Sequence, residues 1–297
     1  MSNKPIPVSV GICAYNEEKN IGAILDSILS QEIEKFELSE VIVVSSGSTD
    51  NTEQIVNSII AVDDRVRLIV EPTRSGKAGA INILLNEAAG EICLIQSADT
   101  VQLSGTLMEM CTPFLDEGVG AVAGRPKQVE SSGLISQFST ILWDLHEIVS
   151  RKKPKLGEIS AHRNVIDSIP PDTIADDSYI EYKIQELGYR TQFQPKAIVM
   201  NKGPENLKEY IKQRVRWRIA QIINSRRTGY TTATMRSRTV IVSLLQYTIT
   251  KPWKLPFVLP MCIIELYCLV KSRLLAKKKQ DEMIVWERLP STKKNLE

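Results

Sequence analysis

The feature that most constrains this chain is a rhythm of short apolar runs alternating with helical spacing through its first 125 residues. Val8–Cys13, Val41–Val44, Val66–Val70, Ile92–Ile95 and Val119–Ala123 are mostly apolar and only a few residues long. Runs of this kind read as strands buried in a sheet covered on both faces. Between them, Ile21, Ile24, Leu25, Ile28 and Leu29 keep helical spacing, as do Ile55, Val56, Ile59 and Ile60. Further helices are expected up to about Ala89 and from Ser104 to Leu115. Strand–helix alternation at this interval means an α/β fold with a doubly wound, mostly parallel sheet.

Open sheets of this class bind ligands beyond the carboxyl ends of their strands. Four polar loops fall there: A-Y-N-E-E, S-S-G-S-T-D-N-T, E-P-T-R-S-G-K-A-G-A and S-A-D-T. In the last, Asp99 can hold a hard cation through oxygen, and the ion can neutralise a diphosphate. Asp99 can equally cap the helix expected from Ser104. The second loop reads either as a ligand loop or as a polar turn in which Ser48 or Asp50 caps the next helix. R-S-G-K-A-G-A looks like a phosphate cradle but lacks both the full P-loop spacing and G-x-G-x-x-G. Arg74 and Lys77 are therefore either ligand contacts or solvated charges.

From Ser131 the alternation stops. A long amphipathic helix is expected from Leu134 to about Val149, followed by the basic patch R-K-K-P-K and a strand at Leu156–Ala161. P-P-D-T-I-A-D-D then leads into a helix through Leu187. Tyr189–Gln194 and Ala197–Met200 read as short strands of a smaller second sheet. A helix from Glu205 to about Ser225 carries K-Q-R-V-R-W-R. Gln213, Arg216 and Trp217 share one face of it at i, i+3, i+4. That face suits a compact anion better than a nucleic-acid backbone, although Trp217 also reads as plain core.

Charge divides the chain. Residues 202–279 hold 17 Lys and Arg against 3 Asp and Glu, whereas residues 1–201 hold 17 against 28. A basic C-terminal part of this kind points to a phosphate-bearing ligand, an anionic membrane or nucleic acid. Five cysteines in apolar contexts, without zinc-ligand spacing, read as reduced core thiols of a cytoplasmic protein. With only His146 and His162 present, a histidine-rich metal site or a Ser-His-Asp triad has little support. Met1–Pro7 carries no hydrophobic signal peptide.

Taken together, residues 6–220 resemble family 2 glycosyltransferases, which have the GT-A fold and invert the anomeric configuration. The resemblance rests on six motifs in family order: A-Y-N-E-E, S-S-G-S-T-D-N-T, G-K-A-G-A-I-N, S-A-D-T, A-D-D and Q-R-V-R-W. The Q-x-x-R-W element is typical of the branch that makes polysaccharides and modifies lipid-linked glycans. By this resemblance Ala14, Tyr15 and Glu17 line the nucleoside, with Ser46, Lys77 and Ser97 also at the donor. Asp99 is the metal ligand of a D-x-D-like element, for Mg²⁺ or Mn²⁺. Asp177 is the general base, and Gln213, Arg216 and Trp217 close over the diphosphate and the acceptor. The family usually has acids where this chain has Ser45, Ser46 and Ser97, and serine hydrogen-bonds without adding charge.

Beyond these motifs, Val240–Leu245 and Leu255–Val270 are apolar and separated by K-P-W-K-L-P. The second run has 16 residues and contains Pro256, Pro260 and Glu265. It is shorter than the ~20 residues of a bilayer span, and Glu265 at mid-membrane would cost about 2.5–3.5 kcal/mol. With Lys251, Trp253 and Lys254 beside them, these helices are expected to lie at the cytoplasmic face of the cell membrane, peripherally or monotopically. Packing on the domain or dimerisation is the alternative. The expected organisation is a GT-A domain over 1–230, membrane-associated helices over 231–280 and a polar tail over 281–297. The expected partners are a nucleotide-sugar donor, a lipid-linked or glycan acceptor and a membrane surface, without nucleic acid; the sequence carries no signal for oligomeric state. A catalytically weakened sugar-nucleotide-binding scaffold in a glycan-assembly complex is the competing reading, motivated by the three serines.

Overall fold

The computed structural model describes residues 4–129 and 132–276. Among these, eight strands form a single sheet: β1 (Ile6–Ala14), β2 (Phe36–Ser46), β3 (Val66–Glu71), β4 (Ile92–Ser97), β5 (Thr100–Gln102), β6 (Val119–Gln128), β7 (Ile159–Arg163) and β8 (Arg190–Asn201). Their order is β3-β2-β1-β4-β7-β6-β8-β5. The pairs β1–β2, β1–β4, β2–β3 and β6–β8 are parallel. β7 is antiparallel to both neighbours, and β5 is antiparallel to β8. The mostly parallel sheet expected from the five apolar runs is present.

Helices cover both faces, and the two-residue period of the strands divides the core between them. Val8, Val10, Ile12, Ile92 and Leu94 pack with α1 (Ile21–Leu29), α2 (Thr52–Ile60) and α4 (Thr106–Cys111). Cys93, Ile95, Ala121 and Ala123 face the other way, against α3 (Lys77–Glu87) and α6 (Asp176–Glu186). The helix expected over 104–115 is shorter. α4 ends at Cys111 and Thr112–Leu115 continues as a 3₁₀ turn, because Pro113 lacks the N–H that an α ladder needs.

The separate smaller sheet is also revised. Its two expected strands are one strand, β8, within the main sheet. In the pairing with β6, Phe193 lies opposite Ala123 and Ile198 opposite Arg125, so β8 has slack between them. Pro195 sits in that slack, where its missing N–H removes no ladder bond.

α5 (Leu134–Ser150), α7 (Leu207–Thr228), α8 (Ser237–Thr250) and α9 (Leu255–Leu275) build the C-terminal part, with K-P-W-K-L-P turning through a 3₁₀ segment at Pro252–Lys254. Tyr247, Val258 and Met261 pack on Phe138, Ile141 and Tyr210, while Cys268 and Ala276 pack on Val215 and Ile219. The opposite faces are open: Ile249 is 77% exposed, Ile263 72% and Trp253 67%. Pro252–Leu275 spans 24 residues at a mean hydropathy of 1.6, long and apolar enough to cross a membrane by length and composition. The expectation that this run is too short is thereby corrected, since α9 continues to Leu275 and the 3₁₀ segment Pro252–Lys254 precedes it. At 1.5 Å per residue α9 measures about 31 Å, close to the ~30 Å hydrocarbon core. The expected tail at 281–297 lies outside the described residues.

Candidate active site

A cleft of about 1300 Å³ opens at the carboxyl ends of β1, β2 and β4 and runs on between α5, α7, α8 and α9. Sheet order reverses between β1 and β4, so its floor is the switch point at which such sheets bind ligands. All eleven expected site residues line it: Ala14, Tyr15, Glu17, Ser46, Lys77, Ser97, Asp99, Asp177, Gln213, Arg216 and Trp217.

The first two loops lock together at one end. Asn16 adopts φ 53°, in the left-handed region that asparagine tolerates. Its Oδ1 accepts the Thr49 N–H at 2.7 Å, and its own N–H donates to Ser48 Oγ at 3.2 Å. The Glu17 N–H donates to Thr52 Oγ1 at 2.8 Å and the Glu18 N–H to Asp50 Oδ2 at 3.2 Å. The N-cap position of α2 is Asn51 rather than Ser48 or Asp50, and Asp50, one residue earlier, accepts the Thr52 N–H at 3.0 Å. The Arg74 guanidinium lies 3.8 Å from the Tyr15 ring centroid. Ser46 Oγ is buried without a hydrogen-bond partner at the edge of this pocket, an orphan that a ligand can satisfy. Ser45 instead shares a hydrogen bond of 2.8 Å with Glu53, which puts a carboxylate behind the serine.

At the centre, Lys77 opens α3 after Gly76, whose φ of 91° favours glycine. Its Nζ meets Asp176 Oδ2 at 2.9 Å while its side chain stays 40% exposed, so it is a paired charge at a helix start that still reaches the cleft. Asp99 sits in the two-residue turn between β4 and β5, pinned by Thr100 Oγ1 donating to the Ser97 carbonyl at 2.9 Å. α4 begins after Gly105, on the far side of β5, which excludes Asp99 as its cap. Ser97 donates its N–H to the Glu158 carbonyl at 2.9 Å. Burial, and next the negative charge of Asp99, push the Glu158 carboxyl above the usual carboxylate range. A carboxyl kept from ionising by burial and a neighbouring acid at a cleft floor belongs to a donor set that a divalent cation relieves.

Asp177 lies in the first turn of α6. Its Oδ2 pairs with Lys155 Nζ at 2.7 Å and its Oδ1 accepts the Ser178 N–H at 2.7 Å. Burial pushes its pKa up, but Lys155, Lys77 and the Ser178 N–H outweigh burial and hold it below the usual range. Burial, then the Lys155 charge, push His146 down to about 3, so this cleft imidazole is neutral. Burial pushes the Cys13 thiol up to about 12, which removes it as a nucleophile at neutral pH. On α7, the Trp217 ring has the Arg214 guanidinium 4.9 Å and Lys155 Nζ 5.9 Å from its centroid. Trp217 is half-buried at the cleft wall rather than plain core.

Sequence reasoning missed Lys155, Glu158 and Asp176 as site residues. Lys155 hides in R-K-K-P-K, where Arg151, Lys152 and Lys153 are exposed while Lys155 turns inward after Pro154. The available signal was its place between a proline and the buried Leu156.

This geometry defines a GT-A-type glycosyltransferase scaffold, and solved structures agree on the fold. Mannosyltransferase PcManGT from Pyrobaculum calidifontis, in complex with GDP-Man and Mn²⁺, superposes at a TM-score of 0.69, with 23% identity over 94% of this chain and 89% of that one. TarS residues 1–349 from S. aureus, in complex with UDP, superpose at 0.50 with 21% identity, over 74% and 66% of the two chains. Residues 9–174 match the profile of Glycosyl transferase family 2, and the chain belongs to that family. Curated relatives include poly-β-1,6-N-acetyl-D-glucosamine synthases of Staphylococcus aureus, 27% identical over 219 residues, and of Staphylococcus epidermidis, 27% over 223. These matches cover 69% and 71% of this chain but 52% and 53% of the relatives, so the chain spans about half their length.

Proposed function

We propose that this chain transfers a hexosyl group from a nucleoside-diphosphate sugar to an acceptor hydroxyl with inversion at the anomeric carbon. The observation that carries the reading is a single cleft that brings the acids of S-A-D-T and A-D-D together with the face of Q-R-V-R-W. Ala14, Tyr15, Glu17 and the orphan Ser46 hydroxyl hold the nucleoside, with Ser97 beside them. Lys77, tethered to Asp176, faces the diphosphate.

Among the described residues no cluster of three or more His, Cys, Asp or Glu is built to hold a metal alone. That fits Mg²⁺ or Mn²⁺ in such sites, which use one or two carboxylates plus substrate phosphates. Asp99 would hold the ion, with Glu158 as its neighbour. When bound, the ion supplies positive charge to the leaving diphosphate. A divalent ion is in keeping with the structural neighbour that binds GDP-Man and Mn²⁺.

In the reaction the acceptor oxygen attacks C1 while the C1–O bond to the diphosphate breaks, its electron pair leaving on the phosphate oxygen. Asp177 takes the hydroxyl proton. Its lowered pKa keeps it ionised but makes it a weak base, so transfer becomes favourable only as the new C–O bond acidifies the hydroxyl. Arg216 and Gln213 face the departing diphosphate, and Trp217 offers the acceptor sugar an apolar surface. No protein nucleophile is required.

For the acceptor we favour a lipid-linked glycan over a free polysaccharide. The cleft continues past Asp177 between Leu142 and Leu145 of α5, Ile241 and Leu244 of α8 and Leu269 of α9, which suits an apolar chain. The exposed apolar faces of α8 and α9 support attachment to a membrane without a requirement to cross it, and we propose the cytoplasmic side of the cell membrane as its place. We retain the division into a transferase domain over 1–230 and membrane-associated helices over 231–280. The reading is tested by offering UDP-GlcNAc, UDP-Glc, UDP-Gal and GDP-Man with Mn²⁺ to N-acetylglucosamine oligomers and to a prenyl-diphosphate-linked sugar. A product of inverted anomeric configuration by NMR is expected; a retained configuration would overturn the mechanism.

A further inference from the structure

Glu265 is the single acid in the apolar helix α9. Its Oε1 accepts from Arg214 Nε at 2.7 Å and from the Tyr210 hydroxyl at 2.9 Å. Its Oε2 accepts from Arg214 Nη2 at 3.0 Å and from Arg218 Nη2 at 2.7 Å. Both arginines and the glutamate have side chains less than one-fifth exposed. The pairing with Arg214 is therefore two-pronged, a geometry that fixes the guanidinium plane as well as its place. Arg214 is also the cation 4.9 Å from the Trp217 ring centroid.

The clamp is not the sole contact between α9 and α7, because Cys268 and Ala276 also pack against Val215 and Ile219. What the carboxylate adds is orientation. Arg214 and Arg218 stand four residues apart on one helix face, where like charges repel. Without an acid between them the two guanidiniums would separate, and the support beside Trp217 would move. All three charged groups border the cleft, so their arrangement shapes its acceptor end.

We propose that Glu265 is a positioning residue: by clamping Arg214 and Arg218 it orients Trp217, and the acceptor-binding face of α7 is complete only while α9 is docked. The proposal rests on the glycosyl-transfer reading of the cleft. It also accounts for an acid kept in a helix otherwise suited to lipid.

The test uses the full chain in detergent. Subtracting the Trp217→Phe spectrum isolates the emission of Trp217 from the other three tryptophans, and the subtraction is repeated in a Glu265→Gln background. A red-shifted difference emission in that background is expected, as the ring loses its support and gains water. Affinity for UDP or GDP with Mn²⁺ should stay within about twofold, while KM for the preferred acceptor of the panel above rises about tenfold or more. Combining Glu265→Gln with Trp217→Phe should add little to the loss from Trp217→Phe alone. Where Glu265→Gln gives no cooperative melt, Glu265→Asp carries the test: it keeps the charge, shortens the reach, and should melt cooperatively with acceptor KM still raised. Unchanged Trp217 emission, wild-type acceptor KM in a folded variant, or fully additive losses would overturn the proposal. If the wild type transfers no sugar to any acceptor, the reading of the cleft fails, and the emission measurement alone still decides the role of Glu265.

Discussion

Replacing Lys155 by Met tests whether the buried ammonium governs Asp177. The substitution keeps an unbranched chain of similar length but removes the charge 2.7 Å from Asp177 Oδ2. Lys155 is 4% exposed at its side chain and Asp177 20%, so water compensates only part of the loss. Two unit charges about 4 Å apart at an effective dielectric constant of about 20 attract by about 4 kcal/mol. The retained Ser178 N–H and the partial exposure of Asp177 reduce the expected loss of stability to about 2–3 kcal/mol, near the lower bound for a broken buried pair. At about 2–4 °C per kcal/mol for a domain this large, Tm should fall by about 4–12 °C. The pH dependence has a definite sign. A carboxyl depressed in the folded state contributes stability above its unfolded pKa, and that contribution is lost as pH falls through the folded value. In Lys155→Met the depression is relieved while burial persists, so the acid limb of kcat/KM should move to higher pH. Adding Asp177→Asn to Lys155→Met should restore much of the Tm but none of the transfer. Thermal melts between pH 4 and 8 and a pH–rate profile measure both effects. An unchanged Tm together with an unmoved acid limb would refute the coupling.

Asp99→Asn should weaken nucleoside-diphosphate binding with Mn²⁺ and leave metal-free binding nearly unchanged, as titration calorimetry with and without EDTA would report. Ser46→Ala should weaken donor binding by only a few-fold, since it removes one hydrogen bond worth about 0.5–1.5 kcal/mol. The triple change Ile249→Asp, Leu259→Asp and Ile263→Asp, all on exposed faces of α8 and α9, should abolish co-flotation with anionic liposomes while the melt is preserved. Wild-type flotation in that variant would remove the membrane assignment.

The sheet was legible because its strands are short apolar runs with nothing else to do but be buried. Val41–Val44 could scarcely form anything but a central strand, and all four residues are inaccessible. The site loops were legible because each follows a strand and carries polar groups in a recognisable order. What failed to show were effects of distance in sequence. Pro195 reads as a strand break, yet a register slip against β6 absorbs it. R-K-K-P-K reads as a solvated patch, yet Lys155 reaches Asp177, 22 residues further on. Glu265 reads as a penalty in an apolar helix because its partners lie 51 and 47 residues earlier, on α7. Periodicity reports which face is buried, and it carries no information about which distant charge the fold brings to that face.

Transfer in this cleft with Asp177 as base makes a sharp demand on one pair of proteins. Its most direct test is the release of nucleoside diphosphate from the donor panel with Mn²⁺, in the presence of acceptor, by the wild type and by Asp177→Asn side by side. Release with at least one donor is expected, with a reduction of about 10²–10⁴-fold in the variant. Equal release by the two proteins would contradict the base assignment, and no release from any donor by the wild type would contradict the transferase reading itself.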